Sequence, residues 1–440
     1  MASNNAYPAA SLTPRCPSSV SSATPPIGQM TNRHFGLYLT LVFVLGLALR
    51  VGFTHVLVGL DSAPDPARNY DETEYELFAA QVAAGHGYTY PGGVATAIRP
   101  PGTSAILAPL YILFGRSVFL AHLYFCLLSA LSILAVAWVA RAMCGSCVAL
   151  LAAAWIAVYP GHFYFSHCFF SEVPFSLLIC LATGLSFKAY RRGGHVGQEV
   201  LAGLILGLCV LTRPQAVMAF PIAWLFILGL SKLRCREVLR PAFVTSILAV
   251  AVVIPWAVRN DGAVGKFTIS TIGGWTFWGA HNEVVAADPE WRGVWKPVDE
   301  LVNEDRPLEG TEVEREAATW RYGFQFLEEN PGQILPLVAS KFMRLAAPFT
   351  RTENQLASWI FAIAWIITGP LMLLGMWWLR RKDPAAFFLL ALPMAGLLAT
   401  VFIFYGSIRF RNSISTLLVI PAAYAVCTIY ESKRSNQVRL

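Results

Sequence analysis

The residues best equipped for chemistry lie between Asp61 and Gly115, an acidic, aromatic stretch that leads into Arg99-Pro100-Pro101-Gly102. Tyr70-Asp71-Glu72 opens a helix-compatible run, Thr73 to Ala84, that places Tyr75, Phe78 and Val82 on one face. Asp71 and Glu74 have capping-box spacing, which lets a carboxylate take an orphan amide at a helix start. A carboxylate held there also suits removal of a proton from an attacking hydroxyl. Arg99 precedes a double proline, which keeps the backbone extended and so sets where the guanidinium points.

Two further groups share the same expected side of the chain. Tyr159-Pro160-Gly161-His162 is followed by Ser171-Glu172-Val173-Pro174. Arginines stand at the ends of apolar segments: Arg213 in Thr212-Arg213-Pro214, Arg259 in Pro255-Trp256-Ala257-Val258-Arg259-Asn260, and Arg409 and Arg411 in Ile408-Arg409-Phe410-Arg411. Each has a plainer reading: Asp71 and Glu172 as helix caps, the arginines as side chains snorkelling to headgroups. The combination favours chemistry. Arginines at an apolar boundary offer fixed bidentate charge to a lipid-linked phosphate. With a nearby carboxylate they suit transfer of a sugar from a polyprenyl phosphate to a hydroxyl outside the membrane, the phosphate leaving in-line. His162, His167 and Glu172 are metal-ligand types, but spacings of five do not share a helix face. Cys144-Gly-Ser-Cys147 is half of a zinc pattern with no second pair. No cofactor is expected, a divalent metal being the lesser alternative.

The elements that must position these residues are apolar. Of 440 residues, 56% are hydrophobic and 13% charged, against about 25% charged in soluble proteins. That composition predicts an all-α polytopic membrane protein. The net charge of +7 carries no nucleic-acid signal, because Lys and Arg sit in short clusters between apolar segments, the positive-inside pattern. The clusters are Arg141, Lys188-Arg191-Arg192, Lys232-Arg234-Arg236-Arg240, Arg380-Arg381-Lys382 and Lys433-Arg434-Arg439. With all of them cytoplasmic, about ten spans follow: Phe35–Val58, then near 118–140, 146–160, 168–188, 198–212, 214–231, 240–258, 355–379, 385–405 and 411–430. Both termini are then cytoplasmic, and the candidate residues face outward across a plasma (inner) membrane.

Residues 1–32 are rich in Ser, Pro and Ala and read as a disordered cytoplasmic tail, with Met30 an alternative start. Residues 33–430 form the membrane domain and 431–440 a second tail. Pro100 to Gly115 is apolar but short, which suits an interfacial or re-entrant helix. The outer loops are 61–117 and 260–354. In the second, Lys266 to Ile272 before Gly273-Gly274 suits a short strand and turn. Residues 310–329 suit an amphipathic helix ending before Asn330-Pro331-Gly332, and Ala339 to Ala347 a segment along the membrane surface. The loop thus predicts a small mixed extracytoplasmic domain. Trp275, Trp278 and Trp291 are candidates for stacking on sugar rings.

From Phe35 to Tyr430 the chain resembles the GT-C membrane glycosyltransferases. It is most similar to the family 39 group of protein mannosyltransferases and of transferases that put aminoarabinose or galacturonic acid on lipid A. The motifs are Leu49-Arg50, Asp71-Glu72-x-x-Tyr75, Gly85-x-Gly87-Tyr88, Arg99-Pro100-Pro101-Gly102, Leu113-Phe114-Gly115 and Tyr159-Pro160. They continue through Ser171-Glu172, Gly203-x-x-x-Gly207-Leu208, Thr212-Arg213-Pro214, Pro255-Trp256-x-x-Arg259-Asn260, Ser270-Thr271-Ile272-Gly273-Gly274 and Arg409-Phe410-Arg411. The resemblance implies that Asp71 is the catalytic base, that Arg99 contacts the lipid phosphate, and that Glu172 lies toward the acceptor. It also implies inversion at the anomeric carbon and reaction without a metal. Glu72, Tyr75, Arg213, Arg259, Arg409 and Arg411 complete the expected binding set. His281-Asn282 departs from the Gly-Asn usual in the group. The expected partners are a polyprenyl-phosphate-linked sugar, a glycan, lipid or protein hydroxyl, and membrane lipids, in cell-envelope glycan or lipopolysaccharide modification. The alternative is a lipid or glycan transporter or flippase, which calls for charges near mid-bilayer and repeat symmetry; no such repeat is evident.

Overall fold

A computed structural model describes residues 31–67, 70–191, 196–214, 235–349 and 354–437. Seven of its helices are long and apolar enough to cross a membrane: Asn32–Leu57, Val118–Cys144, Glu172–Tyr190, Leu239–Val264, Gln355–Lys382, Pro384–Ile403 and Ser415–Ser435. A bent pair, Ser146–Val158 with Pro160–His167 at 59°, has the form of a broken span or a re-entrant loop. Pro160 explains the break, since it has no amide to continue the ladder. Val196–Thr212 is apolar but shorter, and the crossing expected at 214–231 lies outside the described residues. The chain is a multi-pass membrane protein.

In chain order the helices are α1 (Asn32–Leu57), α2 (Tyr70–Ala83), α3 (Gly102–Phe114), α4 (Val118–Cys144), α5 (Ser146–Val158), α6 (Pro160–Phe163), α7 (Glu172–Arg191) and α8 (Val196–Thr212). After the undescribed stretch come α9 (Cys235–Val264), α10 (Ile272–Ala280), α11 (Glu283–Ala287), α12 (Glu312–Glu329) and α13 (Pro331–Ala346). The last are α14 (Gln355–Lys382), α15 (Pro384–Ile403), α16 (Ile408–Ser413) and α17 (Ser415–Gln437). The main core is built from α4, α5, α7, α15 and α17, with small residues such as Ala149, Ala152, Ala422 and Ala423 fully buried. Small side chains let helix backbones approach where lipid supplies no hydrophobic drive. Gly375 of α14 lies against the Pro421 carbonyl of α17 with no room for a Cβ. Gly375→Ala is expected to force these helices apart at about 1–3 kcal/mol, read as a lower melting temperature in detergent.

The spans are not free of interior charge. Arg50 of α1 is fully buried, donating to Ser129 Oγ at 2.8 Å, Gly46 O at 2.8 Å, Ala157 O at 3.1 Å and Ile156 O at 3.3 Å. The last two are carbonyls at the end of α5, where the bend leaves them without helix partners. Arg50 therefore caps a broken helix.

The first loop carries α2 and α3 side by side, joined by Glu76, which accepts from Tyr111 Oη at 2.9 Å and from Arg116 Nε and Nη2 at 2.8 Å each. Helix α3 occupies the stretch expected to be interfacial. The second loop packs around Trp278, Val298, Leu301 and Tyr322. Helix α12 forms as expected, opened by a capping box between Thr311 and Glu314 and closed at Asn330. The strand expected over Lys266–Ile272 is not formed. Ile272 already starts α10, because Gly273 and Gly274 enter its first turn and Gly274 packs against the Glu316 carbonyl and Thr319 of α12. Among the described residues the only β pairing is two isolated bridges, Thr89 with Ala95 and Asn303 with Arg306.

Candidate active site

Three chain breaks converge where α2, α7 and α16 begin. Arg99 ends the first loop just before α3, whose Gly102 lies so close to Leu211 and Thr212 that a side chain there would collide with backbone. This contact seats Arg99 beside Arg213, which follows α8. Glu172 is the first residue of α7. Arg409 is the second residue of α16, capped by Ser407, whose hydroxyl accepts from Arg409 N at 3.2 Å.

The charged groups form one alternating chain. Glu74 Oε2 meets Arg99 Nε at 2.6 Å, and Arg99 Nη2 meets Asp71 Oδ1 at 2.8 Å. Asp71 Oδ2 meets Arg409 Nη2 at 3.2 Å, Arg409 Nε meets Glu172 Oε1 at 2.8 Å, and Glu172 Oε1 meets Arg213 Nη1 at 3.0 Å. Three carboxylates thus face three guanidiniums. Aromatic rings back the cations: Arg409 lies 4.4 Å from the Phe170 ring centroid and Arg213 5.7 Å from that of Phe410. Ring contacts and contacts to two carboxylates at once leave Arg99 and Arg409 little rotamer freedom. Burial alone would raise the Asp71 carboxyl, but Arg99 and Arg409 bring it down to about 2. Arg213 keeps one buried donor, Nε, without a hydrogen-bond partner among the described residues.

This chain forms one wall of a cavity of about 450 Å³, to which Asp71, Tyr75, Arg99, Arg213 and Arg409 contribute. Thr268, Ser270, Gly273, Thr276 and Tyr405 also line it. Arg409 also bounds a second cavity of about 370 Å³, lined by Tyr164, Phe165, Phe170, Phe349 and Phe361 together with Arg344.

Of the residues expected from sequence, Asp71, Tyr75, Arg99, Arg213 and Arg409 therefore meet at one cavity, with Glu172 buried behind the last two. Asp71 is the second residue of α2; its carboxylate, like that of Glu74, engages guanidinium groups. Glu72 is buried and is not part of the cavity wall. Arg259 and Arg411 lie elsewhere. Arg259 donates to Thr96 O and Tyr88 O at 2.6 Å each, tying the first loop to α9. Arg411 donates to Leu345 O and Ala347 O at 2.7 and 2.6 Å, holding the end of α13. Both are struts, because loop carbonyls without a ladder must find donors. Arg259→Met should leave two carbonyls unpaired at about 1–3 kcal/mol, seen as a lower melting temperature and faster proteolysis within the first loop. None of the three tryptophans proposed for sugar stacking lines the cavity. Trp278 is fully buried, Trp275 packs on the same small core, and Trp291 packs on the cluster of Val285 and Phe326. Their large apolar rings fill the second loop's interior instead. Among the described residues no three of His, Cys, Asp and Glu come together as a metal would require.

The sequence reading missed Glu74 as a member of the charge chain, although its i,i+3 spacing from Asp71 puts both carboxylates on one helix face. It also missed Tyr405 and Glu312. Glu312 accepts from Thr96 Oγ1 at 2.6 Å, Ala97 N at 2.9 Å and Thr271 Oγ1 at 2.5 Å, clamping the segment before Arg99 to the second loop. Its partners all lie more than 40 residues earlier in the chain, so no local signal marks it.

Comparison with known proteins decides the fold. A family model described as dolichyl-phosphate-mannose-protein mannosyltransferase matches residues 98–258. The apo oligosaccharyltransferase of Archaeoglobus fulgidus superposes with a TM-score of 0.59 at 14% identity, covering 93% of this chain and 52% of that one. The chain has the GT-C membrane glycosyltransferase fold. A second GT-C structure, AglB from the same organism in complex with an inhibitory peptide and a dolichol-phosphate, gives 0.55 at 15% identity, covering 92% and 52%. The chain thus spans about half the length of these GT-C structures. ArnT from Cupriavidus metallidurans bound to undecaprenyl phosphate matches at a TM-score of 0.42 and 15% identity, covering 90% and 78%. No curated protein sequence matches the chain.

Proposed function

We propose that this chain is a membrane glycosyltransferase that moves a sugar from a polyprenyl-phosphate donor to an acceptor hydroxyl at the outer face of the membrane. The observation that carries the proposal is the meeting of three arginines and Asp71 at a single cavity, with a buried Arg213 donor unpaired among the described residues. A lipid phosphate brings the anion such a cluster accepts, and rigid guanidiniums stabilise the charge that develops on it as it leaves. The family match and the dolichol-phosphate in the AglB structure support the donor class.

In this reading the acceptor oxygen attacks the anomeric carbon, the bond from that carbon to the phosphate oxygen breaks, and its electron pair leaves with the polyprenyl phosphate. The acceptor's proton goes to Asp71. With both arginines on it Asp71 is a weak base, and the incoming phosphate raises its basicity by drawing Arg99 and Arg409 toward itself. Glu172 holds Arg213 and Arg409 from behind, while the rest of the cavity lining takes the sugar. Basic clusters support an outward site: Arg380-Arg381-Lys382 and Lys433-Arg434 sit at the far ends of α14 and α17. Arg141, bonded to Asn32 Oδ1 at 2.6 Å, lies beside the start of α1. By the positive-inside rule these ends are cytoplasmic. We place the acceptor among cell-envelope glycans of the plasma membrane.

The test is mass spectrometry of surface glycolipids, polysaccharides and proteins from cells lacking the chain and from cells complemented with it. A sugar-sized mass increment that depends on the chain is expected. Identical profiles in the two, with the protein present in membranes, overturn the reading.

A further inference from the structure

Lys341 of α13 is fully buried, among the largest side chains that are so. Its amine lies 2.7 Å from His281 Nε2 and 3.3 Å from the Phe402 carbonyl. His281 Nδ1 is 2.8 Å from Phe277 O. A carbonyl only accepts, so Nδ1 carries the ring proton and Nε2 presents its lone pair to Lys341. Burial brings Lys341 down to about 7, and burial together with the neighbouring amine brings His281 to about 3. The imidazole is therefore neutral, and the Lys341 amine donates to both acceptors, His281 Nε2 and the Phe402 carbonyl.

The second acceptor is the informative one. Phe402 is the penultimate residue of α15, and its carbonyl is among the last four that the helix cannot satisfy itself. The chain leaving this point passes Phe404 and Tyr405, which line the larger cavity, and reaches Arg409. Along the way Gly406 N donates to Gly293 O at 2.8 Å, and the Gly406 α-carbon lies against the Lys341 carbonyl with no space for a side chain. Lys341 thus touches this turn twice, by amine at its start and by backbone near its end.

We propose that Lys341 is a positioning residue for Arg409: by holding the end of α15 through Phe402 it sets the turn from which Arg409 reaches Asp71 and Glu172. The inference rests on reading the larger cavity as a phosphate site. Lys341 touches neither cavity and acts only through the turn.

The test uses the full chain in detergent, with undecaprenyl phosphate as the probe and melting temperature recorded alongside. Lys341→Met is expected to weaken probe affinity about tenfold in a folded, monodisperse protein. In an Arg409→Gln background the same change is expected to shift affinity less than about twofold, because residues acting through one another are not additive. Lys341→Gln, which keeps two N–H donors, is expected to recover part of the loss. Should Lys341→Met fail to fold, Gly406→Ala displaces the same turn from its other side and is expected to weaken the probe similarly. Wild-type affinity in a folded Lys341→Met protein, or losses that add fully to those of Arg409→Gln, overturns the assignment. A wild-type protein that binds no undecaprenyl phosphate overturns the phosphate-site reading on which it stands.

Discussion

Asp71→Asn is expected to reduce sugar transfer about 10²–10⁴-fold, the range a positioned general base contributes, while the protein remains in the membrane at wild-type level. Asparagine preserves the shape but keeps one acceptor oxygen in place of two, so it can accept from Arg99 or from Arg409 but not from both, and the proton acceptor is lost. The measurement is loss of the sugar-sized mass increment at matched protein abundance. Donor binding should survive, because the arginines that meet the phosphate are intact. The pH profile gives a second check. The carboxyl sits near 2 with its arginines in place, below its ordinary value, so it is ionised across the working range and any stability it lends is lost only as pH falls toward that value. No acid limb from the free protein's Asp71 is then expected between about pH 5 and 8. An increment of wild-type size in Asp71→Asn removes the base from this position.

The second large effect belongs to Arg409→Gln. This arginine bridges Asp71 and Glu172, and Glu172 is only 2% exposed. Losing the guanidinium removes charge-assisted hydrogen bonds of about 1.5–3 kcal/mol, so affinity for undecaprenyl phosphate is expected to fall about 10- to 150-fold. Asp71 loses one of the two charges that hold its proton off, and its pKa is expected to rise. A pH titration of transfer in this variant should therefore show an acid limb at higher pH than in the wild type. Unchanged affinity and an unchanged profile together would remove Arg409 from the phosphate site.

Much of this was legible in the chain because membrane helices announce themselves by length and composition, and because Pro and Gly mark their ends. The run of α3 behind Arg99-Pro100-Pro101 and the capped α12 both formed where local signals put them. The charged residues were harder. Arg213, Arg259, Arg409 and Arg411 all read alike, as arginines at the ends of apolar segments, yet two enter the cavity and two hold carbonyls of distant loops. What separates them is which backbone groups the tertiary fold leaves unpaired, and no local spacing encodes that. Glu74 shows the reverse case. Its spacing from Asp71 was visible but was read as capping, since the guanidinium that claims it comes 25 residues later. The strand expected at Lys266–Ile272 failed for a packing reason. Its β-branched residues favour an extended chain, but the glycines after them permit a helix backbone to approach α12 as no larger residue would.

Arg409 bounds both cavities. A ligand in either one meets the same guanidinium, so the two binding equilibria are thermodynamically linked. If a phosphate in the larger cavity draws Arg409 away from the smaller one, it alters the smaller cavity's affinity by some factor, and the occupant of the smaller cavity must alter phosphate affinity by that same factor. The occupants of the two cavities would then not bind as independent partners: each would report the other's presence through one side chain.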